Sequence, residues 1–184
     1  LEIEKCLNFL VDTAETEKPD LIVIAGDEFD SRDIRMESRA AKLVVSVVGR
    51  LADVAPVAIV LGTNSHDGRA PEILSMVRGK YPVHVATQPG QILLLDGTLG
   101  SFADLEDYQK PDATITLIPQ PTKEWWQGQG SIHQTDQEIA QAMSAVFMGF
   151  GDMAAQFNCC HILVGHFTVK GATTSAGRVM IGRE

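Results

Sequence analysis

Leu21-Ile-Val-Ile-Ala-Gly-Asp-Glu-Phe-Asp-Ser-Arg32 is the stretch on which the reading of the chain turns. Four β-prone apolar residues run into Gly26-Asp27, with a second acid at Asp30 and a base at Arg32. A continuous apolar run bounded by a turn is the pattern of a parallel strand covered on both faces. Open α/β sheets place their ligands at the C-terminal ends of such strands. An acid there, just after a glycine that lets the backbone turn sharply, is well placed to hold a metal ion. The plainer reading is that Asp27 caps a turn, since Gly-Asp turns are common.

The flanking sequence alternates helix and strand patterns. Ile3, Cys6, Leu7, Leu10, Val11 and Ala14 recur at three- and four-residue steps, which predicts a helix over residues 1–18, ended by Pro19. A second helix is expected over residues 37–53, with Ala40, Leu43, Val44, Val47, Val48 and Leu51 inward. Residues 56–61 read as a second buried strand, followed by the loop Gly62-Thr-Asn-Ser-His-Asp-Gly68. Pro71 suits a helix start for residues 72–77, and residues 83–87, 91–96 and 114–119 are β-like. Residues 97–110 and 121–134 read as loops, the second holding Trp125 and Trp126 as a clasp over the core or a stacking platform for bases. Thr135-Asp-Gln-Glu138 forms a capping box for the longest helix, whose inner face is Ile139, Met143, Val146, Phe147, Phe150, Met153 and Phe157. The strand 161–165 follows and runs into His166. Strand-helix-strand alternation predicts an α/β fold with parallel pairing and right-handed crossovers.

Composition narrows the function classes. A chain of 184 residues suits one domain with a sizeable core. The net charge of −9 argues against a general electrostatic grip on nucleic acid, although bound divalent ions supply positive charge locally. Three cysteines, Cys6 and the adjacent Cys159-Cys160, have no metal-site spacing and read as core thiols of a reducing cytoplasm. No apolar run approaches the roughly 18 residues of a membrane span, and no secretion leader is present. A cytoplasmic location is therefore expected. The chain starts at Leu1, inside a helix pattern, which is the expectation for a portion of a longer protein.

Three strand ends carry polar chemistry: Asp27, the Asn64-Ser65-His66-Asp67 cluster, and His166. A histidine satisfied by backbone would explain any one of them. All three on the C-terminal edge of one sheet point to a site. Carboxylate, amide oxygen and imidazole together suit a divalent ion such as manganese, iron or zinc. A Ser-His-Asp triad is less well supported, because Ser65 and His66 are adjacent and no nucleophile elbow is present.

Gly26-Asp27-Glu-Phe-Asp30, Gly62-Thr-Asn-Ser-His66-Asp67 and Gly165-His166-Phe-Thr-Val169, in that order and spacing, resemble the calcineurin-like metallophosphoesterases. The third stretch, with Lys170-Gly171-Ala172 behind it, is similar to the SbcD-type DNA repair exonuclease branch. The resemblance implies a layered sandwich of β-sheets flanked by helices, and hydrolysis of phosphodiesters, with DNA as substrate, using two divalent ions, foremost manganese. It implies that Asp27 bridges the two ions and His166 holds the second. It makes His66 the proton donor to the leaving oxygen, Asp67 the residue that orients it, and Asp30 a neighbour of the ligands. A coiled-coil ATPase subunit and a homodimer, built on parts of residues 37–53 and 72–77, are implied as partners, and no membrane.

The chain also departs from that pattern. The family loop is Gly-Asn-His-Asp, with the Asn oxygen on the metal; here either Ser65 takes that slot or Asn64 reaches in from one place earlier. Asn64 is the better ligand of the two, since an amide oxygen binds more strongly than a neutral hydroxyl. The family opens with a strand ending Asp-x-His and closes with Gly-His-x-His, and neither pattern occurs here. Residues 1–184 are thus expected to be a single metallophosphoesterase domain that is the central portion of a whole one, incomplete at both ends. Such a chain binds at most one ion tightly and is inactive or weakly active alone. A non-catalytic subunit for assembly or DNA docking, and a phosphatase of small phosphoesters or nucleotides, are the alternatives.

Overall fold

The computed structural model describes residues 2–106, 109–121, 136–167, 169, 171–173 and 177, and over them the chain is mixed α/β with two open sheets. Trp125, Trp126, the Thr135 capping box and Lys170 lie outside the described residues.

Helix α1 (Glu2–Glu17) packs against α2 (Arg39–Val54). Ser38 caps α2, its hydroxyl accepting the Ala41 N–H at 3.1 Å, so the helix starts two residues later than the periodicity predicts. Strands β1 (Ile22–Ile24), β2 (Val57–Val60) and β3 (Val83–Ala86) form a parallel sheet in that order. The segment between β2 and β3, Ala70–Met76, winds as a 3-10 helix with Pro71 in its first turn. Val47, Val48, Leu51, Val57, Ile59 and Leu74 make the core between the helices and this sheet.

The second sheet has the order β5-β4-β6-β7, formed by β4 (Gly90–Leu95), β5 (Thr98–Gly100), β6 (Ala113–Ile118) and β7 (Cys160–Gly165). Its β6–β7 pair is parallel and the others antiparallel. The two sheets face each other across Ala58, Val60, Ala86, Ile92, Leu94, Ile115, Leu117 and Val164. Helix α3 (Asp136–Ala155) touches the far face, where Gln91 donates from Nε2 to the Phe150 carbonyl at 2.9 Å and Phe147 stacks on Phe167.

Several expectations are corrected. The strand ends lie on two stacked sheets, not one. The strand at residues 22–24 is an edge strand with Val23 38 % exposed, so it is not covered on both faces. Residues 98–100 are a strand, because Asp96-Gly97 (φ 47° and 73°) makes a tight hairpin turn after β4. The apolar stripe of α3 is only half-buried, and Met153 on it is exposed. Cys6 and Cys160 are exposed and Cys159 half-buried, so none of the three is a core thiol. Among the described residues no helix is long and apolar enough to cross a membrane.

Candidate metal centre

After β1 the backbone turns through Gly26 (φ 87°) and Asp27 (φ 59°). A left-handed conformation is unfavourable for a residue with a Cβ, and such strain persists only where surrounding contacts hold it. Here they do. Asp27 donates its N–H to Asp67 Oδ2 at 2.8 Å. Gly26 is closed in on its other side, since a Cβ there would stand 2.5 Å from His166 Nδ1 and 2.7 Å from Gly62 Cα. Gly62 is equally confined, because a Cβ would collide with the Asp27 backbone nitrogen and carboxylate. The two glycines let three strand ends meet at van der Waals distance.

Asp67 is fully buried and joins those ends. Its Oδ2 accepts N–H bonds from Asp27 and Gly62, both at 2.8 Å, and its Oδ1 accepts the Phe29 N–H at 2.9 Å. Asp67 is expected to orient His66; its hydrogen bonds include three to backbone amides, and among the described residues none runs to His66. Residues 66 and 67 lie on a tight turn, both N–H groups donating to the Thr63 carbonyl. The acid beside His66 is Asp30, with Oδ1 3.9 Å from Nδ1, and both side chains are open to solvent.

The third strand end closes the site. His166 follows β7, and its N–H donates to the Ile118 carbonyl at 3.0 Å. Its Nδ1 lies 2.6 Å from the Ala25 carbonyl oxygen. A carbonyl only accepts, so Nδ1 carries the proton, and in the neutral ring Nε2 holds the lone pair. That nitrogen faces Asp27 Oδ2 at 3.4 Å. Asp27 Oδ1 is occupied, accepting the Thr63 N–H at 2.7 Å and the Thr63 hydroxyl at 3.0 Å. Burial pushes the Asp27 carboxyl up, but the two Thr63 bonds, with the His166 and His66 imidazoles behind them, outweigh it and hold the group below its usual range.

These residues fit a cation in one respect. Protonated, His166 forms an ion pair with Asp27; neutral, its Nε2 lone pair faces Oδ2, and the two repel unless an ion lies between them. At 3.4 Å the gap is long for a hydrogen bond, whereas two donors each roughly 2.1 Å from one ion span it readily. The Nδ1–H bond to a backbone carbonyl is also the partner that metal-binding histidines ordinarily have. Asp27 and His166 are brought together, but the set is small. Among the described residues no group of three or more His, Cys, Asp and Glu side chains comes close enough together to hold an ion. Asn64 donates its N–H to Gln120 Oε1 at 3.2 Å, and the Ser65 hydroxyl donates to the Thr63 hydroxyl at 3.3 Å. Ser65 thus meets Asp27 only through Thr63.

Two participants are absent from the sequence reading. Thr63 grips Asp27, yet a threonine after a strand has no chemical signature. Both Glu28 carboxyl oxygens are buried beside Asp67. Burial, then a side-chain hydrogen bond to Asp67 and the charges of the Asp67 and Asp27 carboxylates, push it up to about 9, so it is neutral at pH 7. A cavity of about 150 Å³ opens beside the loop, lined by Gly62, Asn64, Thr87, Pro119 and Gln120. A larger cleft of about 1060 Å³ lies at the opposite ends of the strands, among Lys18, Asp20, Asp53, Tyr81 and Asp112, and touches no residue of the site. Neither a comparison with protein-family models nor a search of curated proteins finds a match to this chain.

Proposed function

We propose that the chain is the metal-binding core of a phosphodiester hydrolase of the calcineurin-like metallophosphoesterase kind, a nuclease subunit of the SbcD type. The observation that carries this reading is Asp27 Oδ2 facing His166 Nε2 at 3.4 Å, with His166 Nδ1 committed to Ala25. Asp27 and His166 would hold the ion, and Asn64 or Ser65 would add an oxygen. A bound divalent ion supplies positive charge to the phosphoryl oxygens and lowers the pKa of water. The chain's own residues do the rest. His66 has Nδ1 turned toward Asp30, which leaves Nε2 to hand a proton to the departing oxygen. Asp67 keeps the Asp27 and Gly62 backbones in register beneath it.

The test is calorimetric titration with manganese, followed by assays on bis-p-nitrophenyl phosphate and on single- and double-stranded DNA. The 184-residue chain is expected to bind one ion and turn over weakly, and Asp27→Asn and His166→Gln to abolish binding. Manganese-dependent hydrolysis of DNA by the full-length protein, inside a complex with an ATPase partner, completes the reading. Absence of manganese binding would overturn it. A second reading, a non-catalytic subunit for assembly or DNA docking, draws on the lack of a third acidic or imidazole ligand among the described residues. It is favoured if manganese binds and no phosphoester, large or small, is hydrolysed.

A further inference from the structure

Helix α1 has two apolar faces. Leu7, Val11 and Ala14 turn inward and pack into the core beneath it. Arg39 and Arg50 of α2 fasten its side, Arg39 through Glu4 at 2.6 Å, Arg50 through Asn8 at 2.8 Å and Asp12 at 3.5 Å. The outer face carries Cys6 and Phe9, with Ile3 and Leu10 beside them. All four are exposed, Ile3 and Phe9 to 72 %. Single apolar residues on a surface are ordinary, but these are contiguous. Thr13 and Thr16 continue the line. Their hydroxyls donate back to the carbonyls of Phe9 at 2.7 Å and Asp12 at 2.8 Å, so both are satisfied within the helix. Glu2, Cys6, Phe9, Thr13 and Thr16 are thus spaced by alternating steps of four and three. That alternation is the seam of a coiled coil, in which contacts recur every 3.5 residues.

The flanks of the seam choose the partner. Lys5 and Asp12 precede seam residues and line one flank, while Ile3, Leu10 and Glu17 follow them and line the other. Among the described residues Lys5 makes no ion pair, and Asp12, which meets Arg50 through Oδ1, is 69 % exposed. Against a second copy running parallel, Lys5 would meet the partner's Leu10 and Asp12 the partner's Glu17, like charge against like. Against a copy running antiparallel, equal flanks meet. Lys5 then pairs with the partner's Asp12 twice across the two-fold axis, Ile3 meets the partner's Leu10, and Cys6 meets the partner's Phe9. We propose that the outer face of α1 is a self-association surface, on which a second copy of this chain lays its own α1 antiparallel. The contact is isologous and self-complementary. It is independent of the hydrolase reading, and it lies outside residues 37–53 and 72–77, which the family resemblance implies for a dimer. A seam of 16 residues is shorter than a standard interface requires, so the dimer is weak and concentration-dependent.

The experiment is sedimentation equilibrium of the 184-residue chain at low salt, with a chelator present, from micromolar to near-millimolar concentration. Three variants accompany it: Phe9→Lys, Lys5→Glu and Asp12→Lys. All three positions are exposed, and Arg50 keeps Asn8 and Glu15 when Asp12 is changed, so circular dichroism should show the fold intact. The expected result is a monomer–dimer equilibrium for the unmodified chain and no dimer for Phe9→Lys. Each charge variant alone should associate roughly tenfold more weakly, since two exposed pairs turn repulsive. Mixing Lys5→Glu with Asp12→Lys should restore association as a heterodimer, because opposite charges meet again at both contacts. A chain that stays monomeric throughout would overturn the proposal. So would a dimer that survives Phe9→Lys, which would place the contact on another surface. Stronger association of Asp12→Lys alone would overturn the antiparallel arrangement, as that change favours a parallel pair through Glu17, and so would a mixture no tighter than its components.

Discussion

Asp67 accepts the backbone N–H of Asp27 at 2.8 Å across 40 positions of sequence, and the same carboxylate oxygen holds Gly62. An amide in its place keeps one acceptor oxygen: turned toward Asp27 and Gly62, it leaves its NH2 facing the Phe29 N–H, donor against donor. Each buried donor left unpaired costs about 1–3 kcal/mol. Asp67→Asn is therefore expected to lower stability by about 1–3 kcal/mol in urea melts run with a chelator present. A change indistinguishable from zero would show that the two loops are held by other contacts.

His66 and Asp27 should fail in different ways. General acid catalysis contributes on the order of 10²–10⁴-fold. His66→Ala is expected to lower kcat in that range with KM and manganese affinity little changed. Asp27→Ala is expected to abolish ion binding and turnover together. Steady-state kinetics beside metal titration separates the two, and wild-type turnover by His66→Ala would remove the proton-donor role.

Glycine replacements test how tightly the strand ends are packed. At Gly62 an added methyl group meets the Asp27 backbone and carboxylate, neither of which has room to retreat. At Gly97 nothing lies within 4 Å, and the only penalty is its φ of 73°. Gly97→Ala should cost about 1 kcal/mol, whereas Gly62→Ala should cost more and also weaken manganese binding. Equal melting temperatures for the two variants would contradict the packing described.

Glu28 gives a pH signature. Its carboxyl sits at about 9 in the folded chain against the ordinary 4.5. Between those values the folded chain keeps a proton that the unfolded chain has released, so stability falls as pH rises. Glu28→Gln preserves the shape and carries no charge. Its melting temperature, measured with a chelator present, should fall less between about pH 5 and 9 than that of the unmodified chain, by roughly 2–4 °C for each 1 kcal/mol of difference. Parallel curves would place the Glu28 carboxyl in water.

What the sequence made legible was the set of elements with one strong period. Helices α1 and α2, the β2 run and the turn after β1 follow from spacing, although Ile3, Cys6, Leu10 and Ala40 of the expected apolar faces are exposed. Tertiary context decided the rest. The division into two sheets depends on whether β4 pairs with β3 or with β6, and no local pattern reports that. The α3 stripe reads as core, yet a helix laid over the outer face of one sheet buries little of it. The Asp96-Gly97 hairpin was visible in principle, being a Gly-containing pair between apolar runs. At the site, the three polar strand ends could be picked out as residue types. The roles of Asp67 and Thr63 could not, because what matters is which amides and oxygens their side chains reach. Nor could the Ser65 hydroxyl be assigned to Thr63, or the Asn64 N–H to Gln120, from a loop that the sequence alone does not orient.

The bond between His166 and the Ala25 carbonyl spans 141 positions. A ribosome adding about 5–20 residues per second needs on the order of ten seconds to cover that span. During this interval the first sheet and its helices have all their own strands, but the Asp27 turn has only the partners that Thr63 and Asp67 provide. The facing pair of Asp27 and His166 therefore comes into being only once β7, the last of the described strands to be synthesised, has docked against β6.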